Sequence, residues 1–339
     1  MSVHIVVGGF FGDEGKGKIV GYLALSQNPW GCVRTGATNA GHTVTYRGRT
    51  WRLRAIPSGF INHKTKLYIA RGALIDLEVF LSEAHALGVG NRVWLDFNTG
   101  IITSEHVARE RMNSYLMEHI GSTGTGVGSA MSDRVFRRLR LARDYPELRN
   151  MVTDTQQEIL EAIDQGELVL IEATQGYWLS LYHGTYPYVT SRDTTASAAL
   201  SEVGLGPRSV DRITVVFKAY VTRVGSGPLP GEISREKAVK LGWAEYGTVT
   251  GRPRRAAPFN SELARRAVKA NTATDIALTK IDILFPQARC KKRWDDLPRE
   301  AKLWIGNIED KLGAPVVLIG TGEDVECTID LSREKGVEG

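Results

Sequence analysis

Asp13 sits inside a glycine–lysine run, Gly12-Asp13-Glu14-Gly15-Lys16-Gly17-Lys18, whose composition suits phosphate. Lysines neutralise phosphate charge, and glycines let backbone N–H groups come close to it. A carboxylate in such a loop is repelled by phosphate unless it holds a metal or takes a proton. Asp13 is therefore a candidate base and a candidate metal ligand. The run is not a Walker A loop: Gly9 is followed by five residues before Gly15-Lys16, and Gly17 stands where that pattern needs Ser or Thr. The plainer reading is a glycine turn with a solvated Asp-Glu pair.

Other loops offer matching chemistry. His42 lies in the small polar loop Thr35–Thr43. Lone histidines are mostly structural, but one flanked by Gly and Thr beside a phosphate loop suits acid/base work. The loop 121–129 (GSTGTGVGS) is again glycine-rich, with hydroxyls for phosphate. Arg134, Arg137, Arg138, Arg140 and Arg143 follow it, some at helical spacing. They form either a solvated basic face or an anion site serving a neighbouring subunit. The loop Tyr246–Arg255 holds Arg252, Arg254 and Arg255, whose forks suit a carboxylate substrate; a disordered basic turn is the bland alternative.

Strands and helices must position these loops. Val3–Val7 reads as a buried strand and Ile19–Leu25 as a helix, so the first loop is a strand-to-helix turn. Gly31–Arg34, Lys66–Ala70, Val93–Asp96, Leu168–Glu172, Ile213–Tyr220 and Val316–Ile319 read as further strands, and Ile276–Leu284 contains one. Leu77–Leu87, Asp154–Ile163, Ser261–Ala270 and Glu300–Leu312 have helical spacing. Phosphate-type loops follow strands along the whole chain. The pattern predicts an α/β fold with one large, mostly parallel sheet, ligands at the strand C-termini, and a single domain over residues 1–339.

Composition narrows the function classes. A net charge of +5 on 339 residues suits anionic small ligands and does not call for nucleic acid; a basic-aromatic platform is also missing. No apolar run reaches a membrane span, and no basic leader precedes the first strand. Cys32, Cys290 and Cys327 show no metal spacing, and are expected to be reduced packing residues of a cytoplasmic protein.

Taken together, the loops resemble those of the adenylosuccinate synthetase family, in its shorter archaeal or viral form. The resemblance rests on 12–18 (GDEGKGK), 39–43 (NAGHT), 121–128 (GSTGTGVG), 174–176 (TQG), 183–191 (HGTYPYVTS), 222–228 (TRVGSGP), 246–252 (YGTVTGR), 279–282 (TKID) and 320–322 (GTG), in order along nearly the whole chain. It implies a P-loop-NTPase-like fold and a two-step ligase reaction. A nucleoside triphosphate phosphorylates O6 of a 6-oxopurine monophosphate, and L-aspartate then displaces phosphate at C6.

The resemblance also implies residue roles. Asp13 takes the N1 proton and contacts Mg²⁺, with Gly41 as a second metal ligand. His42 acts on the transferring phosphoryl group, Lys16 neutralises phosphate, and Gln175 polarises the 6-position. Asn39, Thr123, Thr190, Val224 and Arg252 hold the monophosphate, and Arg137 reaches it from a neighbouring subunit, which implies a homodimer. Thr248, Thr250, Arg252 and Arg254 bind aspartate. Gly12, Gly15, Lys16, Gly17, Lys18, Gly41, Thr43, Arg254, Lys280, Asp282, Gly320, Thr321 and Gly322 form the triphosphate site, where Asp282 reads guanine and Lys280 stacks, favouring GTP. The expected compartment is the cytoplasm, a host's if the chain is viral.

Three stretches depart from the family pattern: Phe10-Phe11 replaces Gln-Trp, Gly128-Ser129-Ala130 replaces Gly-Pro-Ala, and Ala257-Pro258-Phe259-Asn260 replaces Gly-Trp-aromatic-or-leucine-Asp. Altered binding loops beside an intact Asp13 and His42 suggest a changed nucleotide. The expectation leans to dGMP, the substrate of the phage diaminopurine branch, whose donor can be ATP or dATP. Some members of that branch replace the loop aspartate with serine; Asp13 is kept here. The alternative is IMP with GTP, and a non-catalytic nucleotide-binding switch is the reading from a different class.

Overall fold

The computed structural model describes residues 3–247, 249 and 251–337. Ten strands form the main sheet: Val3–Gly8 (β1), Gly31–Arg34 (β2), Lys66–Ile69 (β3), Val93–Asp96 (β4), Val152–Thr153 (β5), Val169–Glu172 (β6), Arg212–Lys218 (β7), Asp275–Thr279 (β8), Val316–Gly320 (β9) and Thr328–Asp330 (β10). Their order is β10-β9-β8-β7-β1-β6-β2-β3-β4-β5. Every neighbouring pair is parallel except β9 with β10. Strands β1, β2, β6, β8 and β9 are buried at every position. Continuous Val/Ile runs without polar alternation are what a sheet covered on both faces requires.

Growth of the sheet reverses at β1. From there β2 to β5 step outward on one side, β6 inserts between β1 and β2, and β7 to β10 step outward on the other side. Such a reversal leaves a crevice beyond the strand C-termini. Gly8, Arg34, Glu172, Lys218 and Thr279 are the last residues of five central strands and open onto it. One apolar cluster runs from Val3 to Ile329 along the sheet, and a smaller one (Ala37, Leu74, Ile102, Val127, Ala130) lies under the second glycine loop.

Several expectations need correction. The strand read over Ile213–Tyr220 ends at Lys218; Tyr220–Arg223 then leaves the sheet to pair antiparallel with Arg255–Pro258. Within Ile276–Leu284 only the first part is strand. Lys280 turns left-handed (φ 62°) and Ile281–Leu284 is a helical turn. The helix Val127–Val135 ends before Arg137, so of the five arginines only Arg134 is helical. Cys290 and Cys327 form a disulfide, with Cα atoms 4.6 Å apart, where reduced thiols were expected; Cys32 is free and buried. The pairing follows from lacing of two loops: Cys290 N donates to Thr321 O (2.7 Å), and Thr321 N to Cys327 O (2.9 Å). Among the described residues no helix is long and apolar enough to cross a membrane.

Candidate active site

The first loop is shaped by Glu14, which sequence reasoning passed over as half of a solvated pair. Its Oε1 accepts from the N–H groups of Phe10 (2.9 Å) and Gly12 (2.8 Å), and its Oε2 takes the Lys16 ammonium at 2.9 Å. Both ends of that ion pair are buried. Gly12 and Gly15 have φ 103° and 87°, which a Cβ would strain. Gly15 is the N-cap of the helix Lys16–Gln27, so free helical N–H groups face the loop.

A cavity of about 380 Å³ opens over this loop. It gathers Gly12, Asp13, Asn39, Gly41, Thr123, Gln175, Thr190, Val224, Arg252 and Arg254, which come from loops far apart in the chain. Inside it the Gln175 amide donates to Asn39 Oδ1 at 3.0 Å, while Thr174 Oγ1 donates to Gln175 Oε1 at 2.7 Å. Arg252 Nη2 donates to Gly121 O at 2.9 Å and so ties the arginine loop to the second glycine loop. Asp13 meets Arg254 Nη2 at 2.9 Å through Oδ1. Burial pushes the Asp13 carboxyl above its ordinary range, against the pull of Arg254 and Lys218. A carboxylate with raised proton affinity is suited to take a proton. Thr248 and Thr250 lie outside the described residues.

His42 is buried against two strand ends. Arg34 and Glu172 are register partners on β2 and β6. The Nδ1 of His42 contacts Glu172 Oε1, with Arg34 Nη1 2.9 Å away. A carboxylate only accepts, so in the contact with Glu172 Nδ1 carries the hydrogen and donates it, and Arg34 Nη1 is then a neighbouring positive charge and not a donor to Nδ1. Glu172 also accepts from Ser58 N (2.6 Å) and Ser58 Oγ (2.5 Å). Burial opposes its charge, but His42, Arg34 and Ser58 outweigh burial and hold the carboxyl down at about 2. Burial, then Arg34, push His42 down to about 4. His42 Nε2 is buried without a partner among the described residues, and is the nitrogen left to offer. Glu172 and Arg34 were missed as site residues; a charge closing an otherwise apolar buried strand was the available signal.

Lys280, Asp282, Gly320, Thr321 and Gly322 lie at the ends of β8 and β9. Asp282 Oδ1 is buried without a partner among the described residues, next to the left-handed Lys280. Lys18 departs from expectation. Its ammonium donates to the carbonyls of Gly322 (2.9 Å), Asp324 (2.5 Å) and Cys327 (2.8 Å), so it braces that loop instead of facing phosphate. Burial brings it down to about 7. Thr321 is committed likewise, its hydroxyl bonding Lys291 O and Cys327 O. Gly320 and Gly17 permit close approach: a Cβ on Gly320 would lie 2.9 Å from the Lys18 side chain, and one on Gly17 2.9 Å from Thr43 O. The Thr43 side chain itself is exposed. Arg137 is exposed and lines a separate cavity of about 440 Å³ with Arg71 and Arg134.

The departures from the family pattern divide. Phe11 lines the main cavity under the Arg223 guanidinium, 4.6 Å from its ring centre. Phe10 does not line it, nor does Phe259, where the chain keeps the aromatic of the family pattern. They pack with Phe217 and Trp304 in one aromatic cluster.

Comparison with known proteins agrees with the motifs. The sequence model of the family described as adenylosuccinate synthetase matches residues 5–145 and 139–289. An adenylosuccinate synthetase from Methanosphaera stadtmanae is 47% identical over 339 residues, covering 99% of both chains. One from Thermococcus onnurineus is 49% identical over 334 residues, covering 97% of this chain and 98% of its own. Among solved structures, a fully ligated adenylosuccinate synthetase from Plasmodium falciparum has a TM-score of 0.90 at 24% identity, covering 97% of this chain and 99% of that one, a likeness of fold. The cyanophage S-2L succinoaminodeoxyadenylate synthetase, solved with dGMP and dATP, has a TM-score of 0.82 at 26% identity, covering 99% and 98%. On this match of sequence along nearly its whole length, the chain belongs to the adenylosuccinate synthetase family of ligases.

Proposed function

We propose that the protein makes adenylosuccinate from IMP and L-aspartate with GTP as phosphoryl donor, acting as one domain over residues 1–339. The observation that carries this reading is the gathering of Asp13, Asn39, Gln175, Arg252 and Arg254 on one cavity at the sheet's reversal point. In this reading Asp13 takes the N1 proton and O6 becomes the nucleophile. Lys16 and the helix N-terminus offset phosphate charge. His42 serves the phosphoryl transfer through Nε2, and approaching phosphate charge raises its proton affinity. Gln175 faces the 6-position, with Asn39, Thr123, Thr190, Val224 and Arg252 around the monophosphate. Arg252 and Arg254, with Thr248 and Thr250, receive aspartate.

Asp282 supports GTP. Guanine offers two adjacent donors, N1–H and the 2-amino group, where adenine offers an acceptor; a buried carboxylate oxygen lacking a partner among the described residues favours the former. The donor set also fits Mg²⁺, which commonly takes one or two carboxylates and completes its shell with phosphate oxygens and water. Asp13 and the Gly41 carbonyl would hold it, and it would supply neutralising charge at the phosphates. The exposed position of Arg137, away from the main cavity, is consistent with service to the other subunit of a homodimer.

IMP displaces dGMP as the favoured substrate for two reasons. The relatives at 47% and 49% identity bear the name adenylosuccinate synthetase, against 26% identity for the phage enzyme. The Phe10 departure also packs edge to face on Phe259, an aromatic the family pattern keeps, which accounts for it by packing. The test is incubation with Mg²⁺, L-aspartate and GTP or ATP, offering IMP and dGMP separately and identifying the product by mass. Adenylosuccinate from IMP supports the reading; product from dGMP alone overturns it.

A further inference from the structure

The disulfide between Cys290 and Cys327 joins two loops that lead away from the ends of β8 and β9. On the first, short turns carry the chain from Asp282 to Cys290: Phe285 N donates to Ile281 O (2.8 Å), Ala288 N to Phe285 O (2.8 Å) and Lys291 N to Ala288 O (3.0 Å). On the second, Gly320, Thr321 and Gly322 leave β9, and the chain returns through Cys327 to β10. The Gly322 backbone lies against the bridge: a Cβ there would stand 3.1 Å from Cys327 Cβ and 3.3 Å from its Sγ. Thr321 Oγ1 reaches across to Lys291 O at 2.7 Å, and Lys18 Nζ donates to Cys327 O at 2.8 Å. The disulfide adds a covalent link to this lacing. Its two ends differ in access, since Cys290 is exposed and Cys327 is buried. Arg289, Lys291, Lys292 and Arg293, all exposed, flank Cys290. Such a basic stretch favours an approaching thiolate, and exposed disulfides are the readily reduced ones.

We propose that the Cys290–Cys327 disulfide is a redox latch on the donor site: closed, it holds the 320–322 turn to the segment that follows Asp282, and a dithiol reductant opens it and weakens binding of the nucleoside triphosphate. The inference rests on the proposed function, which places the donor at Lys280, Asp282 and the 320–322 turn. A thiolate of the reductant attacks Sγ of Cys290, the S–S bond breaks, and Cys327 leaves as a thiolate that takes up a proton. The reductant's second thiol then displaces Cys290 from the mixed disulfide. Both cysteines end as thiols, and the dithiol ends as its own disulfide. With the bridge open, Lys18 and Thr321 still hold the turn through carbonyls, so the site is loosened and not lost. Binding must then order the turn, which costs donor affinity. The main cavity, assigned to monophosphate and aspartate, is lined among the described residues by none beyond Arg254, so the latch acts on the donor alone.

The test compares the wild type, oxidised and after dithiothreitol, with C290S. Alkylation under denaturing conditions followed by mass measurement counts the thiols: one of the three cysteines reacts with the latch closed, and all three with it open. Two readouts are used: KM for each substrate, and amide hydrogen exchange over residues 286–293 and 320–327. Reduction should raise the KM for GTP by about 3- to 30-fold and leave those for IMP and aspartate within about twofold. It should also speed exchange in both segments, and reoxidation should reverse each change. C290S should sit at the reduced values and ignore dithiothreitol; if C290S does not fold, the reduced wild type decides. A reduced wild type with an unmoved KM for GTP makes the disulfide a structural staple and overturns the proposal. So does one that unfolds, and so does a protein that shows three thiols even after oxidant. An oxidised wild type that makes no product overturns the proposed function instead, and hydrogen exchange then decides whether the bridge holds the two segments together.

Discussion

Phe10 and Phe259 meet edge to face with ring centres 5.2 Å apart. The first ends the strand-to-loop turn at β1, and the second follows the strand Arg255–Pro258. Phe10 replaces the glutamine usual in the family, Phe259 keeps the aromatic usual at its position, and each fills space against Phe217, at 4.8 and 6.0 Å between centres. The pair is thus a packing unit behind the site. Truncating Phe10 to Ala should lower unfolding stability by about 3 kcal/mol, within the range for a buried aromatic. The IMP-to-dGMP ratio of kcat/KM should stay within about twofold. Denaturant unfolding and paired kinetics check this; a large change in that ratio would return these positions to substrate choice.

His42 owes its orientation to Glu172, which also fixes Ser58 and lies beside Arg34. Replacing Glu172 with Gln keeps the shape but offers an amide that can donate where Nδ1–H must be accepted. The wrong tautomer would then be favoured. The expected loss in kcat is about 10- to 1000-fold, with KM for the monophosphate little affected. Full loss of folding would show the buried charge network to be mainly structural, so circular dichroism accompanies the kinetics.

The sheet was legible because buried parallel strands declare themselves as apolar runs ending in glycine-rich or polar loops, as Val3–Gly8 does. Candidate residues on those loops, such as Asp13 and Gln175, which line the cavity, could be picked out for the same reason. What stayed hidden was pairing across the fold. Nothing in the sequence near Glu245 shows that Lys218 and Arg254 will both reach it, or that Arg34 will sit beside Glu172 in register. Lys18 looked like a phosphate ligand because its spacing is that of one. Only the return of the 320–327 loop, with its three carbonyls, reassigns it. The disulfide between Cys290 and Cys327 is the same kind of event, decided by the approach of two loops.

Asp282 makes donor choice testable. If its carboxylate accepts from both N1–H and the 2-amino group of guanine, ITP should be a weaker donor than GTP, by about 10-fold or more in KM. Asp282→Asn should raise the KM for GTP and narrow the gap between GTP and ITP, because an amide cannot accept both bonds through two oxygens. If the substitution leaves GTP and ITP as far apart as before, Asp282 does not read the base.

Acid should destabilise the protein earlier than ordinary carboxyl titration would suggest, through its buried histidines. His42 and His4 are both lowered to about 4, by burial first and a nearby arginine second. His4 is buried on β1, with Nε2 2.7 Å from Thr214 Oγ1 and Arg212 and Asp275 beyond. A histidine whose folded value lies below its unfolded value of 6.5 leaves the unfolded chain binding more protons. Its stabilising contribution is present above pH 6.5 and is lost as pH falls towards 4. Glu172, held at about 2, has the same sign in a lower window, losing its contribution below pH 4.5. The unfolding midpoint should therefore decline from pH 6.5 to 4, and Glu172 continues the decline below pH 4.5. Replacing His4 with Gln, which cannot charge, should flatten the upper part of the decline. Thermal unfolding of the wild type and of H4Q at half-unit pH steps measures both slopes. Equal slopes between pH 6.5 and 4 would show that His4 does not titrate in this window.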